Sequence, residues 1–242
     1  SGTEIKGSSE PRGTAPADIM TLSSDTTGIN YISYHEKALV LHYYAENEGW
    51  SGQYLPTTNT LSDAGFDTTH RYSATINDYK SLKGYQFVMV DSHGSTYAHW
   101  FTTTPVICTN EGVTSDNQKS YSSDLFKNRI VKVGGKYWIR PDFFTFYYDQ
   151  GHEMNCEIFH LAICKGAYGN TRLVDAINDA GANAVIAYTD TVTVGYDIAI
   201  LQDALSTLLE GNSISNSLAY ARSQNGNQDP STGAVPNYYG SG

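Results

Sequence analysis

A chain of 242 residues, 40% of them hydrophobic, can bury one sizeable core, and no apolar run approaches the ~20 residues that a membrane-spanning helix needs. With 25 acidic against 15 basic residues and a formal charge of −10, it lacks the excess of Lys and Arg on which nucleic acid and anionic lipid depend. Three cysteines exclude a disulfide-stapled small scaffold, although Cys108 and Cys156 could pair in an oxidising compartment and leave Cys164 as a spare thiol.

Residues 1–30, rich in Gly, Ser, Thr and Pro, are expected to form a flexible lead-in, with residues 31–242 forming one domain. The run Lys37 to Ala45 is a short apolar segment bounded by polar residues, the pattern of a strand buried on both faces. The acidic loop holding Glu46 and Glu48 follows. Leu61 to Gly65 has the form of a helix end closed by glycine, Phe66 to Tyr72 that of a strand, and Ile76 to Leu82 that of a short helix capped near Thr75. Tyr85 to Asp91 is a second buried strand, which stops at Ser92-His93-Gly94.

Residues 101–127 are polar and without period, so no regular structure is expected there. Arg129 to Arg140 predicts a β-hairpin turning at Gly134-Gly135, taken as a small insertion over about residues 128–141. Glu157 to Ile163 is a third buried strand, ending at Cys164-Lys165-Gly166. A helix from Leu173 to Ala180 closed by Gly181, a strand from Ala182 to Tyr188, and a helix from about Asp197 to Leu209 complete the alternation. Ser213 is placed to cap a last helix running to about Arg222, and Val235 to Tyr239 could form a short strand.

Apolar strands alternating with helices predict a three-layer α/β/α sandwich with a mainly parallel central sheet. In such sheets ligands bind beyond the carboxyl ends of the strands. Glu46 and Glu48, His93 and Gly94, Cys164, and Asp190 all follow predicted strands, so a parallel sheet would bring them to one edge. A thiol needs a nearby group that accepts its proton and protonates a leaving amine, and imidazole titrates in the useful range. Lacking a Cβ, Gly94 could bring its N–H close to a substrate carbonyl, and with the Cys164 N–H it would form an oxyanion hole.

The other histidines have plainer readings. His42 and His160 lie inside apolar strands and are expected to be satisfied core residues, while His152 and Glu153 fall in a loop. His99 lies near His93, but without a Cys or carboxylate at ligand spacing no metal site is expected. No serine-hydrolase elbow, phosphate-binding glycine loop or paired Cys-x-x-Cys motif is present.

Val88-Met-Val-Asp-Ser-His-Gly94 resembles the strand-Ser-His-Gly block of clan CD cysteine peptidases, which include caspases, legumain, clostripain, gingipains and the caspase-like domain often fused to tetratricopeptide repeats. Ile158-Phe-His-Leu-Ala-Ile-Cys-Lys-Gly166 resembles their second block, and the order, His before Cys, is theirs. The likeness spans about residues 36–223 and is nearest in flavour to the gingipain, clostripain and repeat-associated groups. It implies a caspase-like fold, a peptide or protein substrate, Cys164 as nucleophile, His93 as acid/base and Gly94 as an oxyanion donor. It also implies cleavage after Arg or Lys if a carboxylate lines the specificity pocket, with Asp190 the leading candidate and Glu46 and Glu48 behind it.

Asp91 and Ser92 are alternatively placed to hold the loop around His93. No cofactor is implied, calcium alone being left open. The chain departs from the pattern at Ile163, where Ala is usual before the nucleophile, which keeps a catalytically inactive binding or scaffold module as the alternative. A thiol amidase acting on small molecules is a third reading. The Tyr-, Gly-, Ser- and Asn-rich, lysine-poor composition fits an exported bacterial protein, secreted or at the cell surface. The Ser1-Gly2 start, without methionine, leaves the natural N-terminus and any targeting segment to be expected elsewhere.

Overall fold

The computed structural model describes residues 37–43, 51–99 and 102–240. Glu46, Glu48 and the lead-in lie outside them. Four apolar runs form the centre of the main sheet: β1 (Lys37–His42), β3 (Phe87–Asp91), β8 (Cys156–Ala162) and β9 (Ala182–Tyr188). Each is buried on both faces, which is why the runs are continuous rather than alternating. The two edges are more polar strands, β2 (Asp67–Arg71) and β10 (Pro236–Gly240). The order is β10-β9-β8-β3-β1-β2, all parallel except β10 against β9.

Helices cover both faces. On one side α1 (Leu55–Asp63), α7 (Val194–Leu209) and α8 (Ile214–Asn225) enclose a core that includes Val40, Met89, Ile158, Ile186, Leu201 and Leu205. On the other, α2 (Ile76–Tyr79), α5 (Pro141–Tyr147) and α6 (Arg172–Asp179) pack with Leu39, Val88, Phe159 and Val185. The amphipathic pattern of α6 buries Leu173, Val174 and Ile177 and leaves Asp175 exposed. Its expected glycine stop is present, with Gly181 at φ 100°. The Thr75 capping box and the Ser213 cap also form, the Ser213 side chain accepting from Asn216 N. The result is the three-layer sandwich predicted above. Among the described residues no helix is long and apolar enough to cross a membrane.

Two expectations are corrected. The hairpin of β6 (Ile130–Val133) and β7 (Lys136–Ile139) is not a separate small insertion. It is half of a four-stranded antiparallel sheet ordered β4-β5-β7-β6, with β4 (Gly94–His99) and β5 (Thr102–Gly112). Residues 101–127 are therefore not irregular: β5 fills much of them, followed by α3 (Ser115–Ser120) and α4 (Ser122–Phe126). The stretch Thr102-Thr-Thr-Pro105 disguises the strand, yet residues 104–109 are buried because β5 is paired on both sides. Nor do Cys108 and Cys156 pair. Both are buried free thiols on different sheets, and burial pushes the Cys108 thiol up to about 11 and the Cys156 thiol well above its ordinary range.

Candidate active site

β3 and β8 are parallel neighbours in which Asp91 faces Ala162. The chain runs two residues past that pair to His93 on one side and to Cys164 on the other, so both lie at the same edge of the sheet. They line one cavity of about 200 Å³ together with Tyr54, Asp91, Ser92, Ala162, Val192, Val194 and Asp197. His93 is exposed and meets Tyr43 edge-on, with ring centroids 4.8 Å apart. Cys164 is half-buried, its Sγ 3.8 Å from the Val192 carbonyl.

The backbone here is closely fitted. Ser92 N donates to Ala162 O at 3.3 Å and Ser92 Oγ to Cys108 O at 2.5 Å, tying the end of β3 to β8 and β5. Ser92 thus holds the loop at His93, as the sequence allowed. Cys108 N donates to His93 O at 2.9 Å, and Gly94 is the next pair along, facing Ile107. Antiparallel pairs alternate between hydrogen-bonded and open, which turns the Gly94 N–H away from β5. A Cβ on Gly94 would collide with the Cys164 carbonyl oxygen and lie 2.9 Å from Ile163 Cβ. Ile163 itself is buried in the core on the opposite face from Cys164, so its extra bulk fills the space behind the site rather than the cavity.

Below the rim lie two histidine–carboxylate pairs. His160 and Asp197 are both buried, with Nε2–H donating to Oδ1 at 2.8 Å, and Tyr54 OH donates to Oδ2 at 2.7 Å. Burial would raise the Asp197 carboxyl, but the His160 imidazole beside it and the hydrogen bonds it accepts hold it below the usual range. His42 Nδ1 donates to Asp91 Oδ2 at 3.0 Å, and His42 Nε2 lies 3.2 Å from Nδ1 of His70 on β2, the two rings stacked. Asp91 behaves oppositely to Asp197: burial wins over the His42 bond and its carboxyl is raised. His42 and His160 are thus core residues, as expected, each bonded to a carboxylate that lines the cavity, but His160 is only half satisfied, since among the described residues its buried Nδ1 has no hydrogen-bond partner.

Asp190 follows β9 at the same sheet edge, where its backbone O accepts from Lys165 N at 3.0 Å and its Oδ1 from Thr191 N at 2.7 Å. It is not among the residues lining the cavity. Sequence reasoning did not single out Tyr54, Val192, Val194 or Asp197 as site residues. Only Asp197 carried a signal, a carboxylate in the first turn of a helix whose first half is mostly apolar. Among the described residues no cluster of three or more His, Cys, Asp or Glu is placed to hold a metal ion.

No protein-family model and no curated protein matches the chain. Among solved structures it is similar to the crystal structure of caspase-1 from Spodoptera frugiperda, with a TM-score of 0.49 and 9% identity over 89% of this chain and 91% of that one.

Proposed function

We propose that the protein is a cysteine endopeptidase that hydrolyses peptide bonds through a Cys164–His93 dyad, cleaving after a basic residue. What carries this reading is the thiol and the imidazole lining one cavity at the ends of two adjacent parallel strands. The cavity is smaller than the ~300–1,000 Å³ of typical small-molecule sites and suits a single side chain of a longer substrate.

In the acylation step Cys164 gives its proton to His93 and its sulfur attacks the scissile carbonyl carbon. The oxygen takes the negative charge, which the N–H groups of Gly94 and Cys164 are suited to stabilise. Collapse breaks the C–N bond, the imidazolium protonates the leaving amine, and a thioester remains. Water, losing a proton to His93, then hydrolyses the thioester and restores the thiol.

The test is an arginyl chloromethylketone together with a panel of peptides. One adduct on Cys164, and turnover that Cys164→Ala abolishes, is the expected result. A folded protein with neither adduct nor turnover would instead be an inactive binding or scaffold module.

A further inference from the structure

We infer that Asp91, and not Asp190, is the residue that selects a cationic side chain in the cavity beside Cys164. The inference rests on the peptidase reading for what delivers that side chain, the residue before the scissile bond. Among the described residues the cavity lining holds two carboxylates and neither lysine nor arginine.

Only one of the two carboxylates is available. Asp197 has Oδ1 taken by His160 and Oδ2 by Tyr54. Asp91 gives Oδ2 to His42, while among the described residues no donor reaches Oδ1. His42 donates to Asp91 from Nδ1, and its Nε2 lies 3.2 Å from His70 Nδ1, so the side chain that bonds Asp91 is shared with a second ring. Neither lysine nor arginine pairs with Asp91 among the described residues, and burial outweighs the help it takes from the neighbouring imidazoles. A guanidinium or ammonium brought by substrate supplies the missing counter-charge.

The depth is also suitable. Asp91 is the last residue of β3 and lies two residues before His93, about 6.6 Å further in at an extended rise. A lysine or arginine side chain anchored at the rim spans that distance. Ala162, its register partner two residues before Cys164, ends at Cβ and leaves the floor to Asp91. Asp190 spends its Oδ1 on Thr191 N and lies outside the cavity wall.

Two peptides identical except for arginine or citrulline before the scissile bond test this, since citrulline keeps the shape and removes the charge. Binding to the Cys164→Ala protein is measured by calorimetry, and kcat/KM is measured with the unsubstituted enzyme. The arginyl peptide is expected to be favoured by at least about tenfold in both, the worth of one charge-assisted hydrogen bond.

Asp91→Asn should bring the two peptides to within about threefold of each other. Should that variant not fold, Val192→Lys puts an ammonium on the cavity wall without touching His42 or Asp91, and should remove the preference equally. Retention of the preference in either folded variant overturns the proposal. So does loss in Asp190→Asn, or no preference at all. A preference in binding without cleavage would leave Asp91 its role and sink the peptidase reading; cleavage indifferent to charge would do the reverse.

Discussion

Gly94 is a position where a single methyl group has nowhere to go. A Cβ there would meet the Cys164 carbonyl oxygen and Ile163 Cβ, backbone and branched side chain that cannot swing aside. Overpacking of this kind costs about 1–3 kcal/mol. Gly94→Ala is therefore expected to lower the unfolding free energy by that much, read as a lower urea midpoint, and to remove labelling of Cys164 by a peptidyl probe. The variant separates β4 from the turn after β8, so both readouts should move together; an unchanged midpoint would show that the fit is looser than the distances imply. The glycine after the histidine was visible in the sequence. The turn after the cysteine was visible only in part, because glycine was the obvious bearer of a strained backbone. Instead Lys165 takes the left-handed conformation, φ 61°, held by bonds from Lys165 N to Asp190 O and Ala167 N to Tyr188 O. Gly166 serves close packing, since a Cβ on it would lie 3.3 Å from Ala187 Cβ.

Between elements, the second sheet is tied to the main one by a buried cluster around Asp124 on α4. Asp124 is 3% exposed; its Oδ2 lies 3.0 Å from Lys80 Nζ at the end of α2, and its Oδ1 2.7 Å from Nε of Arg129, which leads into β6. Tyr147 of α5 donates to the same carboxylate at 2.8 Å. Four elements thus converge on one anion. Asp124→Asn leaves two cations facing a neutral group and is expected to cost about 3 kcal/mol or more, measured by denaturant unfolding. Lys80→Met should cost less, because Arg129 still balances the carboxylate; equal losses would mean that Lys80 contributes chiefly by packing on Tyr147. None of this cluster was legible in the sequence. Its members lie up to 67 residues apart in polar segments, where an exposed face and a buried ion pair use the same residue types. The four central strands were legible because burial on both faces writes itself as unbroken apolar runs.

Across the whole molecule, parallel pairing converts strand ends that are distant in sequence into one rim, so the shared edge of His93 and Cys164 is legible in the sequence. The floor beneath them is not. Asp91 and Asp197 reach the cavity from different layers, and whether a carboxylate is spent or available depends on His42, His160 and Tyr54 meeting it in three dimensions. That difference has a consequence for stability against pH. Asp197 and Asp124 are held below the usual carboxylate range, so the unfolded chain binds more protons at them than the folded one. Their stabilisation is complete above the unfolded value of about 3.9 and is lost as pH falls through their lower folded values. Asp91, raised by burial, contributes in the other direction: protonation favours its folded form, so its contribution is full below about 3.9 and disappears as pH rises through the raised value. Acidification should therefore first relieve Asp91 and then undo Asp197 and Asp124. Denaturant midpoints followed from pH 7 downward should fall steeply only below about 4. Asp91→Asn should remove any gain just above that point, and Asp197→Asn should blunt the fall below it. A fall of unchanged steepness in Asp197→Asn would mean that the His160–Asp197 pair is not what acid breaks.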